Sequence, residues 1–486
     1  MTAPRPLTLD EAREIIGRLV ERINALEAEN ARLQEQLRQT SQNSSRPPST
    51  DPPTVERPSA RPPSGRRPGA QPGHEARARA LLPVEQVDRV IPQRPTHCRG
   101  CGAALRGTDP APRRQQVTEV PVVRPTITEY QWHTLTCARC GVPTPAPRPP
   151  GLPAGAFGPR LTATVAVCTG VYHLSKRATA GLLADLFGVD LAVGSVTACE
   201  QAASAAVATP VVQAVRHVRQ QPVIHVDETG WRQRRQRAWL WVAATTLVTV
   251  FLVHTRRGTG AARTLLRGTR AILVTDRWSA YQAWPLAQRQ LCWAHLRREW
   301  VAFTERGGTA WRAGHALLAE TRAIFTLWHR VRDGTLSRAR FQAAMRPHRR
   351  RVEAWLRRGT ACRHAQTAAT CREVLALAPA LWTFVEVPGV EPTNNAAERP
   401  LRPAVLWRRK SFGTHSAAGG RFAARMLTVA ATLKSQQRAT LSTTSRRPVS
   451  RYCKVIPPHR CSPSPSLTPF APHAFRPERP ERLQVD

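Results

Sequence analysis

Apolar residues recur alternately every three and four positions over residues 10–40. They are Ile16, Leu19, Ile23, Leu26, Leu33 and Leu37, with Asn30 in the same register. β-Branched residues at one core position, leucine at the other and a single asparagine favour a parallel two-stranded coiled coil. The alternative is an amphipathic helix packed on the chain's own core, but a linker follows at once and offers no such core. The pattern therefore predicts a dimerisation helix over residues 1–40 and a homodimer or higher oligomer formed through it.

The next segment carries no apolar periodicity. Residues 41–80 are dense in proline, serine and arginine, and such a composition cannot bury enough apolar surface to offset the entropy of ordering. We predict a disordered basic linker over residues 41–90. It acts as a plain spacer or as an arm that contacts phosphates without reading sequence.

Helical patterning returns over residues 156–215. The stretch "LSKRATAGLLADLFGVDLAVGSVTACEQAASAAV" predicts two helices around a short turn, with Ser195 as N-cap of the second. This pattern is compatible with a DNA-binding helix-turn-helix, although small helical hairpins of other kinds share it. We predict a helical DNA-binding segment over residues 150–218.

From residue 222 the pattern changes to short apolar runs that are typical of strands. "PVIHVDETGWR" predicts a strand ending at Asp227, and "TRAILVTDRWSAY" predicts a strand ending at Asp276. The uncharged run 238–253 is shorter than the roughly 20 residues of a membrane-spanning helix. Its Val, Thr and Trp content favours two buried strands joined by a tight turn. The two aspartates are either strand-terminal caps or carboxylates that meet at one edge of a sheet.

A third acid follows much later, in "EPTNNAAERPLRP". Glu398 lies near the start of a predicted helix with Thr393 as candidate N-cap, and Asn394 shares its face at a spacing of four. Pro400 predicts a kink or a helix restart just after Glu398. Carboxylates are the ligands that Mg²⁺ or Mn²⁺ prefers, and two such ions roughly 3.5–4 Å apart activate a water or 3′-hydroxyl and stabilise the leaving oxygen.

The net charge of the chain indicates a binding partner. The 486 residues carry a formal net charge of +39, which predicts binding to a polyanion. Two basic motifs, "CWAHLRREW" and "LWRRKSFGTHS", supply the candidate DNA contacts, although a solvated basic face is the alternative; the residues are Arg297, Arg298, Arg408, Arg409 and Lys410. The N-terminus lacks the apolar core of a secretory signal, and an odd count of 11 cysteines favours a reducing compartment.

Four of those cysteines form two knuckles, "HCRGCG" and "TCARCG". Cys98, Cys101, Cys137 and Cys140 provide four thiolates for tetrahedral structural Zn²⁺, and a redox pair is the alternative. We predict a zinc-binding domain over residues 91–148. Separately, Cys292 and His295 lie three apart on one helical face, either as auxiliary residues or as a packed cysteine and a hydrogen-bonded histidine.

Together these motifs resemble those of the transposases of the insertion-sequence-66 family, from about residue 10 to residue 436. The resemblance rests on "NSSRPPSTD", "GAQPGHE", the two knuckles, "VDETGWR", "WLWV", "VTDRWSAY", "CWAHLRREW", "TNNAAERPLRPAVLWRRKSFGTHS" and "LTVAATLKSQQR". It implies an α/β ribonuclease-H-like catalytic domain over residues 220–436, with a helical insertion at about 285–385. The coiled coil, zinc ribbon and helix-turn-helix-like segment precede this domain.

Matched by motif, the implied catalytic triad is Asp227, Asp276 and Glu398. Related transposases carry a similar Cys-x-x-His pair near the active site, with Asn394 as a further auxiliary candidate here. The implied activity is Mg²⁺-dependent cutting and joining of DNA strands at the element's terminal repeats and at target DNA. The resemblance also implies that the protein acts in the cytoplasm at the bacterial nucleoid, away from membranes, together with accessory proteins of the same element. A catalytically decayed DNA-binding remnant and a zinc-dependent DNA-binding regulator are the alternatives.

The tail departs from this family. After "LKSQQR" the family continues in the style of "RNALDYLTSAC", whereas residues 439–449 read "ATLSTTSRRPV". Permitted codons for that stretch read "NALDYLTSAC" once two bases are dropped. We therefore interpret residues 437–486 as a disordered, frameshifted tail, a hypothesis that sequencing the gene tests.

Overall fold

The computed structural model describes residues 9–38, 80–153, 155–438 and 440. Most of the predicted linker and of the frameshifted tail lies outside these residues. Helix α1, Leu9–Arg38, covers the predicted heptads. Its core-position side chains Ile16, Leu19, Ile23 and Leu26 are 53–59% exposed in the single chain, and the coiled coil stays a prediction. Strands β1 (Thr134–Thr136) and β2 (Pro143–Pro145) pair antiparallel around the second cysteine knuckle.

Four helices precede the main sheet: α2 Pro159–Gly170, α3 Lys176–Phe187, α4 Val193–Ala206 and α5 Ala208–Arg219. The two predicted helices around a short turn are α3 and α4. Ser175 caps α3 by accepting from Ala178 N, and Gly188 ends it at φ 62°. The predicted N-cap Ser195 is wrong, because α4 begins two residues earlier behind Ala192 and Ser195 lies in its first turn.

The main sheet has five strands in the order β5-β4-β3-β6-β7. The strands are β3 Val223–Gln233, β4 Gln236–Ala244, β5 Thr249–His254, β6 Ile272–Thr275 and β7 Arg289–Leu291, with α6 (Thr259–Leu266) between β5 and β6. The β3-β4-β5 meander is antiparallel, whereas β6 and β7 run parallel to β3. This mixed α/β arrangement is compatible with the catalytic core that the resemblance implies. Strands β4 and β5 confirm the two predicted strands over 238–253.

Strand β3 is longer than predicted. It continues six residues past Asp227 because β4 folds back along it as far as Gln233↔Gln236. The parallel ladder to β6 ends at His225↔Val274. Asp227 therefore lies in the middle of β3, two residues beyond the end of its parallel pairing, rather than at the strand's end.

The helical insertion follows β7 and comprises α7 Trp293–Thr304, α8 Thr309–Arg332, α9 Arg338–Thr360, α10 Ala365–Ala376 and α11 Thr383–Glu386. It starts later than about residue 285, since β7 belongs to the sheet. Between α10 and α11 lies a 3-10 turn, Ala378–Leu381, with Pro379 in its first two positions. The insertion packs around a core that includes Trp293, Trp300 and Phe384 and that it shares with Val274 of β6 and Leu291 of β7.

Helices α12 (Asn395–Ser411) and α13 (Ala417–Ser435) return to the sheet. Helix α12 runs through Pro400 without the restart that this proline predicted. The α13 threonines bond the sheet backbone: Thr428 Oγ1 accepts from Phe251 N, and Thr432 Oγ1 accepts from Thr249 N. Phe422 and Met426 of α13 also pack on α2, so the helical segment and the sheet share buried surface. Among the described residues no helix is both long and apolar enough to cross a membrane.

Candidate active site

Asp227 lies on the face of the sheet that α12 covers. Its register partner on β4 is Val242, and Val242 packs with Ala397 and Leu401 of α12. Glu228, the next residue, points to the opposite face as strand geometry requires. The Glu228 amide donates to Asp227 Oδ1 at 2.9 Å, which fixes the carboxylate at this position. Asp227 and the helix that carries Glu398 therefore share one face.

Asp276 follows β6 directly, as predicted. Its carboxylate accepts from Trp278 N at 2.9 Å, and its carbonyl accepts from Thr275 Oγ1 at 2.8 Å. These two bonds form a tight turn at the end of the strand. Because β3 and β6 run side by side in parallel, this turn holds Asp276 beside Asp227.

Glu398 comes from the first turn of α12, and Asn394 positions that turn. The predicted N-cap Thr393 is wrong, since Asn394 occupies the cap position. Asn394 is fully buried, its Nδ2 donates to Val226 O at 2.7 Å, and its backbone N donates to Cys292 Sγ at 3.2 Å. The start of α12 is thereby tied to β3 one residue before Asp227.

Neighbouring carboxyl charges act on two of the three acids, Asp227 and Glu398. Burial, together with the charges of Glu228, Asp276 and Glu398, raises the pKa of Asp227 well above its usual value. Burial also raises the pKa of Asp276 and of Glu398, and the charge of Asp276 adds to the rise at Glu398. Such perturbation requires proximity, so the structure brings together three acids that lie 49 and 122 residues apart in the sequence (276 − 227 and 398 − 276).

Cations surround this acidic cluster. Arg298 and Arg402 lower the pKa of Glu398, and the bond from Trp278 N, followed by Arg257, Arg277 and Arg289, lowers that of Asp276. Arg298 is half-buried near Glu398, while Arg297, Arg409 and Lys410 are exposed. Arg408 is already engaged, because its guanidinium donates to Thr229 Oγ1 at 3.2 Å and to Gly230 O. Of the predicted basic contacts, Arg298 is therefore the one placed beside a triad acid.

A second network, which the sequence did not reveal, supports the opposite face. Buried Glu228 accepts from Arg257 Nε at 3.0 Å and from Tyr281 Oη at 2.6 Å. The Arg257 guanidinium lies 3.8 Å over the Trp278 ring, and Arg257 O accepts from Trp278 Nε1. The network holds the loop that follows Asp276 against the sheet. In the sequence, only the second acid of "DETG", Glu228, belongs to the motif that carries Asp227.

Cys292 and His295 lie at the start of α7 and meet Glu398. His295 Nδ1 is 3.5 Å from Glu398 Oε1. Burial, followed by the charges of Arg298 and Arg277, lowers the pKa of His295 to about 3, and burial raises the pKa of the Cys292 thiol to about 12. Both groups are therefore uncharged at neutral pH.

The two cysteine knuckles have the same backbone geometry. Cys98 N donates to Ala103 O and Cys137 N to Val142 O, while Gly102 N and Gly141 N return to the carbonyls of the two leading cysteines. Both glycines adopt a positive φ, 72° and 70°, which a side chain would strain. Backbone amides lower the pKa of Cys98 and of Cys137, as suits a thiolate ligand. Among the described residues, one set of three or more potential metal-ligand groups has all its ligand atoms within 4.8 Å of one another. The four cysteine sulfurs do not belong to that set.

Comparisons with known proteins identify a family. The family model described as "Transposase IS66 family" matches residues 154–422, which include all three triad acids. A second model, a family of unknown function (DUF6444), matches residues 1–80. An uncharacterized protein of Sinorhizobium fredii, y4qI, is 27% identical over 225 residues, and the match covers 41% of each chain. The match therefore spans less than half of that relative.

Proposed function

Because the chain belongs to the IS66 family of transposases, we propose that it is a DDE-type transposase with Asp227, Asp276 and Glu398 as its catalytic triad. It binds the terminal repeats of its element, cleaves DNA strands there and joins them to target DNA. The observation that carries the triad is the convergence of one acid from mid-β3, one from the end of β6 and one from α12, where Asp276 raises the pKa of both Asp227 and Glu398.

The donor set suits hard divalent cations. Asp227 and Asp276 are partly buried and accept few protein hydrogen bonds, and Glu398 Oε1 is buried with no hydrogen-bond partner. Carboxylate oxygens in this state fit Mg²⁺ or Mn²⁺. When bound, such ions supply an activated water or 3′-hydroxyl and stabilise the leaving oxygen. In the described part of the chain, the three acids do not form a set whose ligand atoms all lie within 4.8 Å of one another, and we propose that two ions share them.

The chain's own residues supply the positioning. The Asn394 bond to Val226 O sets Glu398 relative to Asp227, and the Trp278 amide sets Asp276. Arg298 and Arg402 place positive charge beside Glu398, where a phosphodiester brings negative charge. We assign Arg297, Arg298, Arg409 and Lys410 to phosphate contacts, and Arg408 to holding the C-terminal part of α12 on β3.

Three further parts complete the proposal. We propose that α1 forms the dimer, because four of its apolar heptad residues, Ile16, Leu19, Ile23 and Leu26, are exposed in the single chain. We propose that Cys98, Cys101, Cys137 and Cys140 hold structural Zn²⁺ once the two knuckles close on each other, and that the basic linker and helices α3 and α4 contact DNA. The strong positive charge makes DNA binding steeply salt-dependent.

The decisive experiment is strand cleavage of a duplex that carries the element's terminal repeat, in Mg²⁺. We expect the wild type to cleave and Asp227→Asn to lose at least about 100-fold in rate, because the amide lacks the negative charge that binds the metal and loss of even an outer-shell partner of a metal site costs about 10–100-fold. Asp333→Asn changes an exposed acid at the end of α8 and is the matched control that keeps full activity. Equal cleavage by wild type and Asp227→Asn would refute the assigned triad.

The same assay separates the alternatives. Binding of the repeat duplex without cleavage by any variant would indicate a decayed DNA-binding remnant or a regulator. Cleavage without insertion of the 3′-hydroxyl end into target DNA would indicate a nuclease. A transposase yields both cleaved and joined products.

A further inference from the structure

Three side chains of different chemistry meet next to the proposed triad. Cys292 precedes α7, His295 lies in its first turn, and Glu398 reaches them from α12. A sulfur, an imidazole nitrogen and a carboxylate oxygen from these residues all lie within 4.8 Å of one another. No other set of three His, Cys, Asp or Glu groups in the described part of the chain meets as closely.

Two of the three ligand atoms lack partners. His295 Nδ1 and Glu398 Oε1 are both buried, and neither makes a hydrogen bond within the chain. Their separation of 3.5 Å exceeds the roughly 2.7–3.2 Å of an N–H···O bond. Buried polar atoms in native proteins are nearly always satisfied, so this pair points to a bound group that contacts both.

We propose that Cys292, His295 and Glu398 form a binding site for a borderline divalent cation such as Zn²⁺. Zinc bonds of about 2.0–2.3 Å in tetrahedral geometry hold ligand atoms roughly 3.3–3.6 Å apart. The 3.5 Å between Nδ1 and Oε1 matches this separation. Thiolate and imidazole select a zinc-like ion over Mg²⁺, which requires oxygen ligands.

The surroundings of the thiol fit a metal ligand. The Asn394 amide donates to Cys292 Sγ at 3.2 Å, and such outer hydrogen bonds orient metal ligands. Trp293 N also donates to Pro392 O at 2.9 Å, which joins the start of α7 to the loop before α12. A cation held by Cys292 and His295 on one side and Glu398 on the other would add a third link across this junction.

The site shares Glu398 with the proposed triad but differs from it in ligand chemistry. A carboxylate has two oxygens, so an ion bound to Oε1 leaves Oε2 for the hard cations of the triad. The zinc-like ion would thus fix the glutamate on which the proposed catalysis depends. Because the inference concerns metal content, it is tested without DNA, and either proposal can fail while the other stands.

The test measures zinc bound to the full chain by mass spectrometry after dialysis in excess Mg²⁺. His295→Gln replaces the imidazole of a partly exposed residue of α7 with an uncharged amide, and Cys292→Ser removes the thiol. Cys371→Ser is the matched control, because Cys371 is another fully buried free cysteine outside the cluster. The knuckle cysteines are unchanged in all variants, so zinc bound there is a constant background.

We expect His295→Gln and Cys292→Ser each to bind one zinc ion fewer per chain than wild type and Cys371→Ser. The affinity at this site should fall by more than about 100-fold, since loss of even an outer-shell partner costs about 10–100-fold. Equal zinc content in wild type and His295→Gln would overturn the proposal, as would equal loss in the Cys371→Ser control.

Discussion

Asn394 is the residue through which the fold sets the distance between two of the proposed catalytic acids, and its truncation is the sharpest test of the site. Its side chain is fully buried and donates to Val226 O at 2.7 Å. Glu398 lies one helical turn later, and its backbone N donates to Asn394 O at 3.1 Å. Replacing Asn394 by alanine removes the donor and leaves the Val226 carbonyl without this partner in the interior.

The magnitude follows from that lost bond. An unsatisfied buried acceptor costs about 1–3 kcal/mol of the free energy of unfolding. At roughly 2–4 °C per kcal/mol for a domain of some 150–250 residues, the melting temperature should fall by roughly 2–12 °C. The effect on rate is larger than the effect on stability suggests, because a displacement of about 1 Å at reacting groups costs roughly 100-fold. Asn394→Asp should be worse at neutral pH, since a carboxylate oxygen then faces the Val226 carbonyl.

The assay combines thermal unfolding with single-turnover cleavage of the repeat duplex in Mg²⁺, well below the melting temperature of every variant. Asn395→Ala is the matched control, because Asn395 is the neighbouring asparagine but is exposed at the first position of α12. We expect the control to keep wild-type rate and stability. If Asn394→Ala matched Asn395→Ala in both, the assigned positioning role would be wrong.

Three further changes test other parts of the structure. Burial raises the pKa of Asp227, so the metal-free protein should lose stability as pH rises from the usual carboxyl range through this raised pKa. Asp227→Asn should remove part of that loss, and calorimetry without metal should show that this variant melts at a higher temperature near neutral pH. Arg277 pairs with Glu299 at 2.8 Å and also with Glu373, and it lowers the pKa of Asp276. Arg277→Gln should therefore move the acidic limb of the pH–rate profile to higher pH, and an unmoved limb would contradict this coupling. Gly413 adopts φ 107° and an added Cβ would lie 2.2 Å from Arg232 O, so Gly413→Ala should cost about 1–3 kcal/mol of unfolding free energy, measured by denaturant titration against wild type.

The sequence predicted the presence of helices and strands better than it predicted the residues at which they begin and end. The apolar run before Asp276 stops where β6 stops, because β6 is a short, buried strand in a parallel ladder and its local sequence marks its limits. The apolar run before Asp227 also stops, yet β3 continues through polar residues to Gln233. That extension depends on pairing with β4, which the local pattern of β3 does not record.

The two predicted helix N-caps were wrong for a related reason. Ser195 and Thr393 are good N-cap residue types, but Ser195 lies three residues after the actual cap Ala192, and Thr393 lies one residue before the actual cap Asn394. Tertiary contacts explain the second position. Asn394 is held by Val226 and Cys292, residues 168 and 102 positions earlier in the chain, and its side chain bonds the sheet rather than the open amides of its own helix.

The site itself could be predicted only in part. Carboxylates that follow buried strands are visible in a sequence, and Asp227 and Asp276 were found that way. Glu398 required the resemblance, because the insertion α7–α11 separates it from the sheet and nothing in its local sequence points to β3. The meeting of Glu398 with Cys292 and His295 had no sequence signal beyond the spacing of the pair, since a contact across 106 residues (398 − 292) is set by packing alone.

The positive charge of the chain bears on the stability of the acidic cluster formed by Asp227, Asp276 and Glu398. A net charge of +39 favours DNA over the whole surface, yet at the center three acids with raised pKa values repel one another. Arginines beside Asp276 and Glu398 offset part of this repulsion, while Asp227 has no cation among the main causes of its shift. The Asp227 carboxylate is therefore stabilised chiefly by a cation from outside the chain. Protonation would also neutralise it, but a protonated Asp227 would no longer be a metal ligand. Asp227 is therefore the triad member whose state should depend most strongly on divalent metal.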